Sequence, residues 1–355
     1  MKNFLIVEFS ASHSELIFSQ ILFLEKYGCK IHLFINHYSP FKALSSAIIT
    51  KTNPDWSRIR LYRELLRYVQ KEKIDTIIFN TAEGLIVRDL IPFLLFKKIK
   101  AAGILHHAEK AVKSFTQKII SLKVRKYFVL NDYVLVWLKN NYKGDNLKFE
   151  SFYPIYFQEA FAKTPVKSDD DFIVCLPGAV EPERKDYKTL INILAENKIN
   201  LNPKIKFQIL GNSSGKEGGK IKQLINEKNL DEIFITYNNF IDDEEFYQSI
   251  KSSSIILPLI HPSGKYFNSF LETGISGVFN LALGFRKPML LHESFRIHPD
   301  YRDVSLFYSE KDFISKLNYI SSSASELEKL EMGYDSLKKL DFSVQASKYF
   351  NFLSV

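Results

Sequence analysis

The chain has 355 residues, 46% hydrophobic and 25% charged, with a formal net charge of +8. That is the composition of a globular protein large enough for two domains. No apolar run approaches the length of a membrane span. The two cysteines, Cys29 and Cys175, are far apart, so neither a structural disulfide nor zinc-type spacing is expected and a reducing cytoplasm is the simplest home.

The opening MKNFLIVEFSASHSE has too short an apolar stretch for a signal peptide and reads as a first strand, Phe4–Phe9. The pattern then predicts a helix over Glu15–Lys26 capped by Ser14, a strand over Lys30–Ile35, and an amphipathic helix over Asp55–Gln70. A strand at Asp75–Phe79, a helix at Leu85–Lys98 and a strand at Ala102–Leu105 follow. After these come a helix at Ala111–Leu122, a strand at Lys126–Leu130, a helix at Asp132–Lys139 and a short strand at Phe149–Pro154. Lys163–Asp171 is polar and turn-prone, as a linker would be.

A second series begins with a strand at Phe172–Leu176 and a helix at Tyr187–Leu194. Strands are expected at Ile205–Leu210, Ile233–Thr236, Ile255–Leu259, Pro288–Leu291 and Val304–Phe307. Helices are expected at Gly219–Glu227, Asp243–Lys251, Gly277–Gly284, Lys311–Ser321, Ser325–Leu340 and Ser343–Phe352. Repeated βα units imply two α/β domains with parallel sheets: 1–162, then the linker 163–171, then 172–340, with a final helix in 341–355 that returns to the first domain. A cleft between two such halves is the natural ligand site, as are the carboxyl ends of the strands.

Charge is unevenly spread. Residues 1–165 carry 25 Lys/Arg and 14 Asp/Glu, a balance of +11, whereas 166–355 carry 23 and 26, a balance of −3. An anionic partner for the first half is one explanation, and a solvated lysine-rich surface is the other. Ile91–Lys100 and Lys110–Lys126 place apolar residues beside Lys and Arg with almost no acid. They suit either an interfacial helix on anionic lipid or a helix packed on its own sheet with a basic outer face. Nucleic acid is the weaker candidate, because no reader motif is present.

The most informative stretch is Ser254–His292, SIILPLIHPSGKYFNSFLETGISGVFNLALGFRKPMLLH. Glu272 and Asn280 stand eight apart around Gly274 and Gly277, at the start of a helix whose amides suit a bound anion. Upstream, LPGAVEPERKDY sets Arg184 and Lys185 just before a helix, where they could clamp a diphosphate. Lys206–Asn212 ends a strand at Gly211. The acidic run Asp242–Glu245 reads as a helix start that complements the helix dipole.

Together these stretches resemble the donor domain of GT-B glycosyltransferases, most specifically from Phe172 to His292. In retaining members two glutamates flank a similar glycine loop; Glu272 matches the first, and Asn280 stands in the place of the second. The closing GFRKP resembles the family's small-residue turn into the next strand. The family's arginine directly after the first glycine is here Ala179, which leaves the diphosphate to Arg184, Lys185 and the amides at Ser276 and Gly277. The resemblance implies that Glu272 orients the donor sugar, that Asn280 meets the ribose and that Gly211 lies near the nucleotide. It also implies that the turn after the strand near Tyr237 contacts the base. In the first half, His106 and His107 end a strand where the family has a histidine facing the reacting sugar, and His13 lies on the acceptor side.

The implied activity is transfer of a sugar from a nucleotide diphosphate sugar to a hydroxyl acceptor, with retention, in bacterial surface glycan synthesis. The acceptor would be a glycan or lipid-linked, and no metal or other cofactor is expected. The expected location is the cytoplasm, including the inner face of the membrane. A nucleotide-sugar epimerase of similar fold and a non-catalytic subunit of a transferase complex are the alternatives.

Overall fold

The computed structural model describes residues 2–13, 15–39, 41, 46–157 and 171–354. The expected cap Ser14, and all of the expected linker except Asp171, lie outside them. Contacts divide the chain into two compact units. The first comprises Met1–Phe157, Glu272–Ile275 and Lys339–Val355; the second comprises Gln158–Leu271 and Ser276–Lys338.

The first unit is built on a seven-stranded parallel sheet. Its strands are β1 (Asn3–Glu8), β2 (Lys30–Ile35), β3 (Ile48–Lys51), β4 (Thr76–Phe79), β5 (Lys100–Ile104), β6 (Lys126–Val129) and β7 (Lys148–Ser151), in the spatial order β3-β2-β1-β4-β5-β6-β7. Central strands of such a sheet are covered on both faces, so they read as continuous apolar runs. In β1, Leu5 and Val7 face a core with Leu65, Leu90 and Leu94, while Phe4 and Ile6 face one with Ile17, Ile21 and Leu24. The second face is closed by the last helix, Phe342–Ser354, whose Tyr349 stacks on Phe128 with ring centroids 4.4 Å apart. Lys339 and Lys348 pair with Asp132 at 2.6 and 3.4 Å and help hold that helix.

Strand β3 was not anticipated, because this edge strand is only partly covered and lacks an apolar run. The single helix expected over Ala111–Leu122 is two, Glu109–Lys113 and Phe115–Ile120. Ser114 turns extended between them, and its hydroxyl accepts the Gln117 N–H, so a good cap interrupts the helix. The helix expected over Ser325–Leu340 ends at Met332. There Gly333 approaches Asp303 so closely that an added Cβ would lie 2.0 Å from its carbonyl oxygen.

The second unit has a six-stranded parallel sheet: β8 (Phe172–Pro177), β9 (Ile205–Asn212), β10 (Phe234–Tyr237), β11 (Ile255–Ile256), β12 (Met289–His292) and β13 (Ser305–Tyr308). The order is β10-β9-β8-β11-β12-β13. β11 is shorter than the expected Ile255–Leu259. Leu257 still donates to the Cys175 carbonyl, but the chain then leaves the ladder and Leu259 turns left-handed, with φ of 57°. Each sheet reverses direction beside its first strand, at β1/β4 and at β8/β11. A crevice outside the carboxyl ends of the strands is the expected ligand position in such a sheet.

Candidate functional site

In the first unit the reversal point is filled by polar side chains. Glu8 ends β1 only 1% exposed, and a carboxylate there must be hydrogen-bonded. Its Oε1 accepts from the Ser10 N–H (2.8 Å) and hydroxyl (2.7 Å), and its Oε2 from Asn80 Nδ2 (2.9 Å) and Thr81 Oγ1 (2.6 Å). Asn80, just past β4, also donates to the His13 carbonyl at 2.8 Å and accepts from Gln20 Nε2 at 2.7 Å. Gln20 in turn accepts the Tyr349 hydroxyl at 2.8 Å. The loop after β1 is thus tied to the last helix through buried groups.

The histidines sit on this network. His13 adopts φ of 65°, and its ring lies 4.0 Å from that of His106. His106 Nε2 lies 3.0 Å from the Asn80 carbonyl. A carbonyl only accepts, so Nε2 carries the proton and Nδ1 is left as an acceptor. Burial, reinforced by His13, pulls the His106 imidazole down to about 4, so it is neutral near pH 7. Burial also acts to lower His13, but Glu15 beside it, with Glu8 and Glu83, holds it above the usual histidine range. Buried Glu83 accepts both the His106 N–H (2.7 Å) and the His107 N–H (2.9 Å) and pairs with Lys110. His107 itself is exposed, 3.7 Å from Glu109.

Glu272 is exposed and lies in a π-helical turn, Ser269–Thr273, a form often found at functional positions. The strip it opens is held within the first unit: Thr273 O accepts the Ala108 N–H and Gly274 O accepts the Tyr133 hydroxyl, each at 2.9 Å.

In the second unit the ends of β8 and β9 are shaped by glycine. Gly178 has φ of 94°, and a Cβ on Gly211 would meet the Gly178 carbonyl at 2.6 Å. Beside them opens a cavity of about 440 Å³, lined among others by Gly178, Gly211, Gly215, Phe240, Phe246 and Tyr247. Lys185 lies under the glycine turn, where its ammonium donates to the carbonyls of Pro177 (2.7 Å) and Ala179 (3.2 Å). Two of its three donors are thereby used, and burial pulls it down to about 8. Arg184 is exposed, 3.3 Å from Glu181 and 5.4 Å over the Phe270 ring. Asp186 caps the helix Tyr187–Asn197 and also accepts the Ser263 hydroxyl at 2.5 Å, which fixes the chain just after both cations.

Ser276 and Gly277 begin the helix Gly277–Phe285, and a Cβ on Gly277 would meet nothing within 4 Å. Asn280 is buried in that helix with its Oδ1 unpaired, a costly state unless a ligand donor reaches it. Asp242 caps the helix Asp243–Ser252, as its acidic run suggested. Of the residues expected to meet the donor, Gly211 lines the cavity and Lys185 lies beneath its wall at Gly178; Arg184, Ser276, Gly277 and Asn280 are not among its lining residues. Sequence reasoning did not single out Glu8, Gln20, Asn80 and Glu83; Phe240 lies in the turn after Tyr237 that the resemblance assigns to the base, whereas Phe246 and Tyr247 lie on the helix that follows it. An acid closing the apolar run FLIVE was the one available signal for Glu8. Among the described residues no group of three or more His, Cys, Asp or Glu is placed to hold a metal ion.

This architecture recurs over whole chains of known structure. Anabaena HepE, solved in complex with UDP, superposes with a TM-score of 0.70 at 12% identity, covering 100% of both chains. The fold is GT-B. Sucrose-phosphate synthase from Thermosynechococcus elongatus matches with a TM-score of 0.67 at 14% identity over 100% of this chain and 98% of that one. A UDP-N-acetylglucosamine 2-epimerase from Listeria monocytogenes, so described provisionally, matches at 0.60 and 9% identity over 96% of each chain. No protein-family model and no curated protein sequence matches the chain.

Proposed function

We propose that this GT-B protein is a glycosyltransferase that uses a nucleotide diphosphate sugar. The observation that carries the reading is the cavity of about 440 Å³ at the strand ends of the second sheet, glycine-walled, edged by aromatic rings and underlain by Lys185. Its size suits a nucleoside-sized ligand, and the HepE structures hold UDP and, in one case, UDP-glucose. In this reading Phe240, Phe246 and Tyr247 take the base and Asn280 donates to or accepts from the ribose. Arg184, the third N–H of Lys185, and the amides at Ser276 and Gly277 take the diphosphate. Glu272 orients the sugar. The bond from the anomeric carbon to the diphosphate oxygen breaks, and a bond from that carbon to an acceptor hydroxyl oxygen forms. The diphosphate leaves with the electron pair, its charge offset by these donors. The acceptor's proton passes to the departing diphosphate oxygen; His106, neutral and too weak a base at about 4 to take it, can hold the acceptor hydroxyl through Nδ1, with His13 and His107 beside it on the acceptor side.

Retention of configuration, a hexosyl donor, a glycan or lipid-linked acceptor and a role in bacterial surface glycan synthesis belong to the same proposal, as does chemistry without a resident metal. The Listeria likeness gives an epimerase a place as the second reading.

The test combines binding with turnover. UDP-sugars should raise the melting temperature, since a ligand of the folded state stabilises it. Wild type should release UDP only when an acceptor is supplied, and Glu272→Ala should lose that release with its melting temperature unchanged. Conversion of UDP-N-acetylglucosamine to its epimer without acceptor would select the second reading. Full turnover by Glu272→Ala would overturn the site assignment.

A further inference from the structure

The cations of the first unit are sorted along its strands. From Leu90 to Asn131 the sequence has nine lysines and arginines and one acid, Glu109. Lys30, Lys100, Lys126 and Lys148 open β2, β5, β6 and β7, and Lys2 immediately precedes β1. Because the strands are parallel, these starts share one edge of the sheet. The crowding is physical: after burial, Lys100, Lys148 and Lys2 are what push the Lys126 ammonium below the ordinary lysine range. On this edge Glu72 pairs with Lys30 at 3.8 Å, and Asp75 accepts the Asn3 N–H.

Apolar side chains project beside these cations. The helix Gly84–Leu95 runs back to the strand starts, and its end leaves Phe93, Leu95 and Phe96 exposed, Phe96 at 93%. The turn before β6 adds exposed Leu122. The two are neighbours, since Lys123 Nζ donates to the Lys97 carbonyl at 2.6 Å. Lys97 and Lys98 are exposed beside them.

We propose that this strand-start edge docks on an anionic lipid bilayer, with Phe96 and Leu122 entering the interfacial layer and the surrounding lysines on the head groups. Lysine stems can lie along apolar surface while their ammonium groups reach phosphate. Apolar tips amid cations are what an interfacial contact requires. A bilayer fits better than a nucleic acid, because the patch pairs Phe93 and Phe96 with aliphatic Leu95 and Leu122, and leucine tips gain from entering an apolar layer but give a base nothing to stack on. The edge is at the opposite end of the strands from Glu8, Asn80 and His106, so docking there leaves that crevice uncovered. The proposal stands whether or not the protein transfers sugars.

The test is co-sedimentation of the full chain with vesicles of phosphatidylcholine alone or mixed with phosphatidylglycerol, at low and high salt. Wild type should bind only the anionic vesicles and release as salt shortens the screening length. Phe96→Ser with Leu122→Ser should weaken partitioning by about tenfold, and so should Lys97→Glu with Lys98→Glu. All four positions are at the surface, so melting temperatures should hold. Phe96→Trp should show a blue-shifted emission on the anionic vesicles. The proposal is overturned by absence of binding at low salt, by full binding of the serine double variant, or by tighter binding to RNA than to vesicles.

Discussion

The strand ends of the two sheets solve the same problem in opposite ways. Both lie at a reversal of strand order, where neighbouring loops diverge and leave space. In the first unit that space is closed by Glu8, Gln20 and Asn80, each buried and each hydrogen-bonded. In the second it is walled by backbone at Gly178 and Gly211 and left open as a cavity. Filling the crevice with satisfied polar side chains holds two histidines in one arrangement. Lining it with glycine and aromatic edges keeps room for a ligand. One fold thus offers a fixed chemical surface in one unit and a receptive volume in the other.

The largest effect should come from breaking the closed crevice. Asn80→Leu removes the donor to Glu8 Oε2 and to the His13 carbonyl and leaves a buried carboxylate short of a partner, so urea unfolding should show a loss of about 3 kcal/mol. A loss under about 0.5 kcal/mol would place the network among ordinary surface contacts. Next is filling the open one. Gly215 lines the cavity, has φ of −64°, and its added Cβ would meet nothing within 4 Å. Gly215→Trp should therefore lower stability by only about 1 kcal/mol, the cost of losing a glycine at the start of the helix Lys216–Glu227, while titration calorimetry shows a clear loss of UDP affinity as the indole occupies the cavity. Gly211→Ala should do the reverse first and lower the melting temperature, because its Cβ would meet the Gly178 carbonyl.

Protonation sharpens the same contrast. Lys185 loses its charge as pH rises through about 8, so UDP affinity should fall between about pH 7 and about pH 9, and Lys185→Met should flatten that profile. His106 behaves oppositely. Its folded-state value of about 4 lies below the usual 6.5, so the unfolded chain binds more protons between these values. Its contribution to stability is present above pH 6.5 and is lost as pH falls through about 4. The smallest effect is expected from Tyr349→Phe, which deletes the hydroxyl bound to Gln20 and should cost about 1 kcal/mol in urea unfolding.

Much of the architecture was legible before any coordinates. Strands such as Phe4–Val7 and Val174–Leu176 are buried on both faces, and such burial requires an uninterrupted apolar run that anyone can read. Local signals worked where the physics is local: Asp242 caps its helix, and the glycine turn at Gly178 follows its strand. They failed where a short-range competitor intervened, as at Ser114, whose hydroxyl caps a new helix inside a stretch of helical periodicity. An edge strand such as Ile48–Lys51 pairs on one side only and leaves little pattern.

By itself, then, the sequence determined the two βα series, because each element depends on neighbours within a few residues, and with them the parallel sense of the sheets, because a helix between two strands carries the chain back to its starting end. Only the tertiary structure decided which polar groups meet. Glu8, Gln20, Asn80 and Tyr349 become one chain because β1 and β4 are adjacent and the last helix packs on the first. The lysines at the strand starts become one edge because parallel strands align their beginnings. Hydrogen bonds and surface charge act over a few ångströms of space, and strand order, rather than distance along the chain, sets which residues share that space.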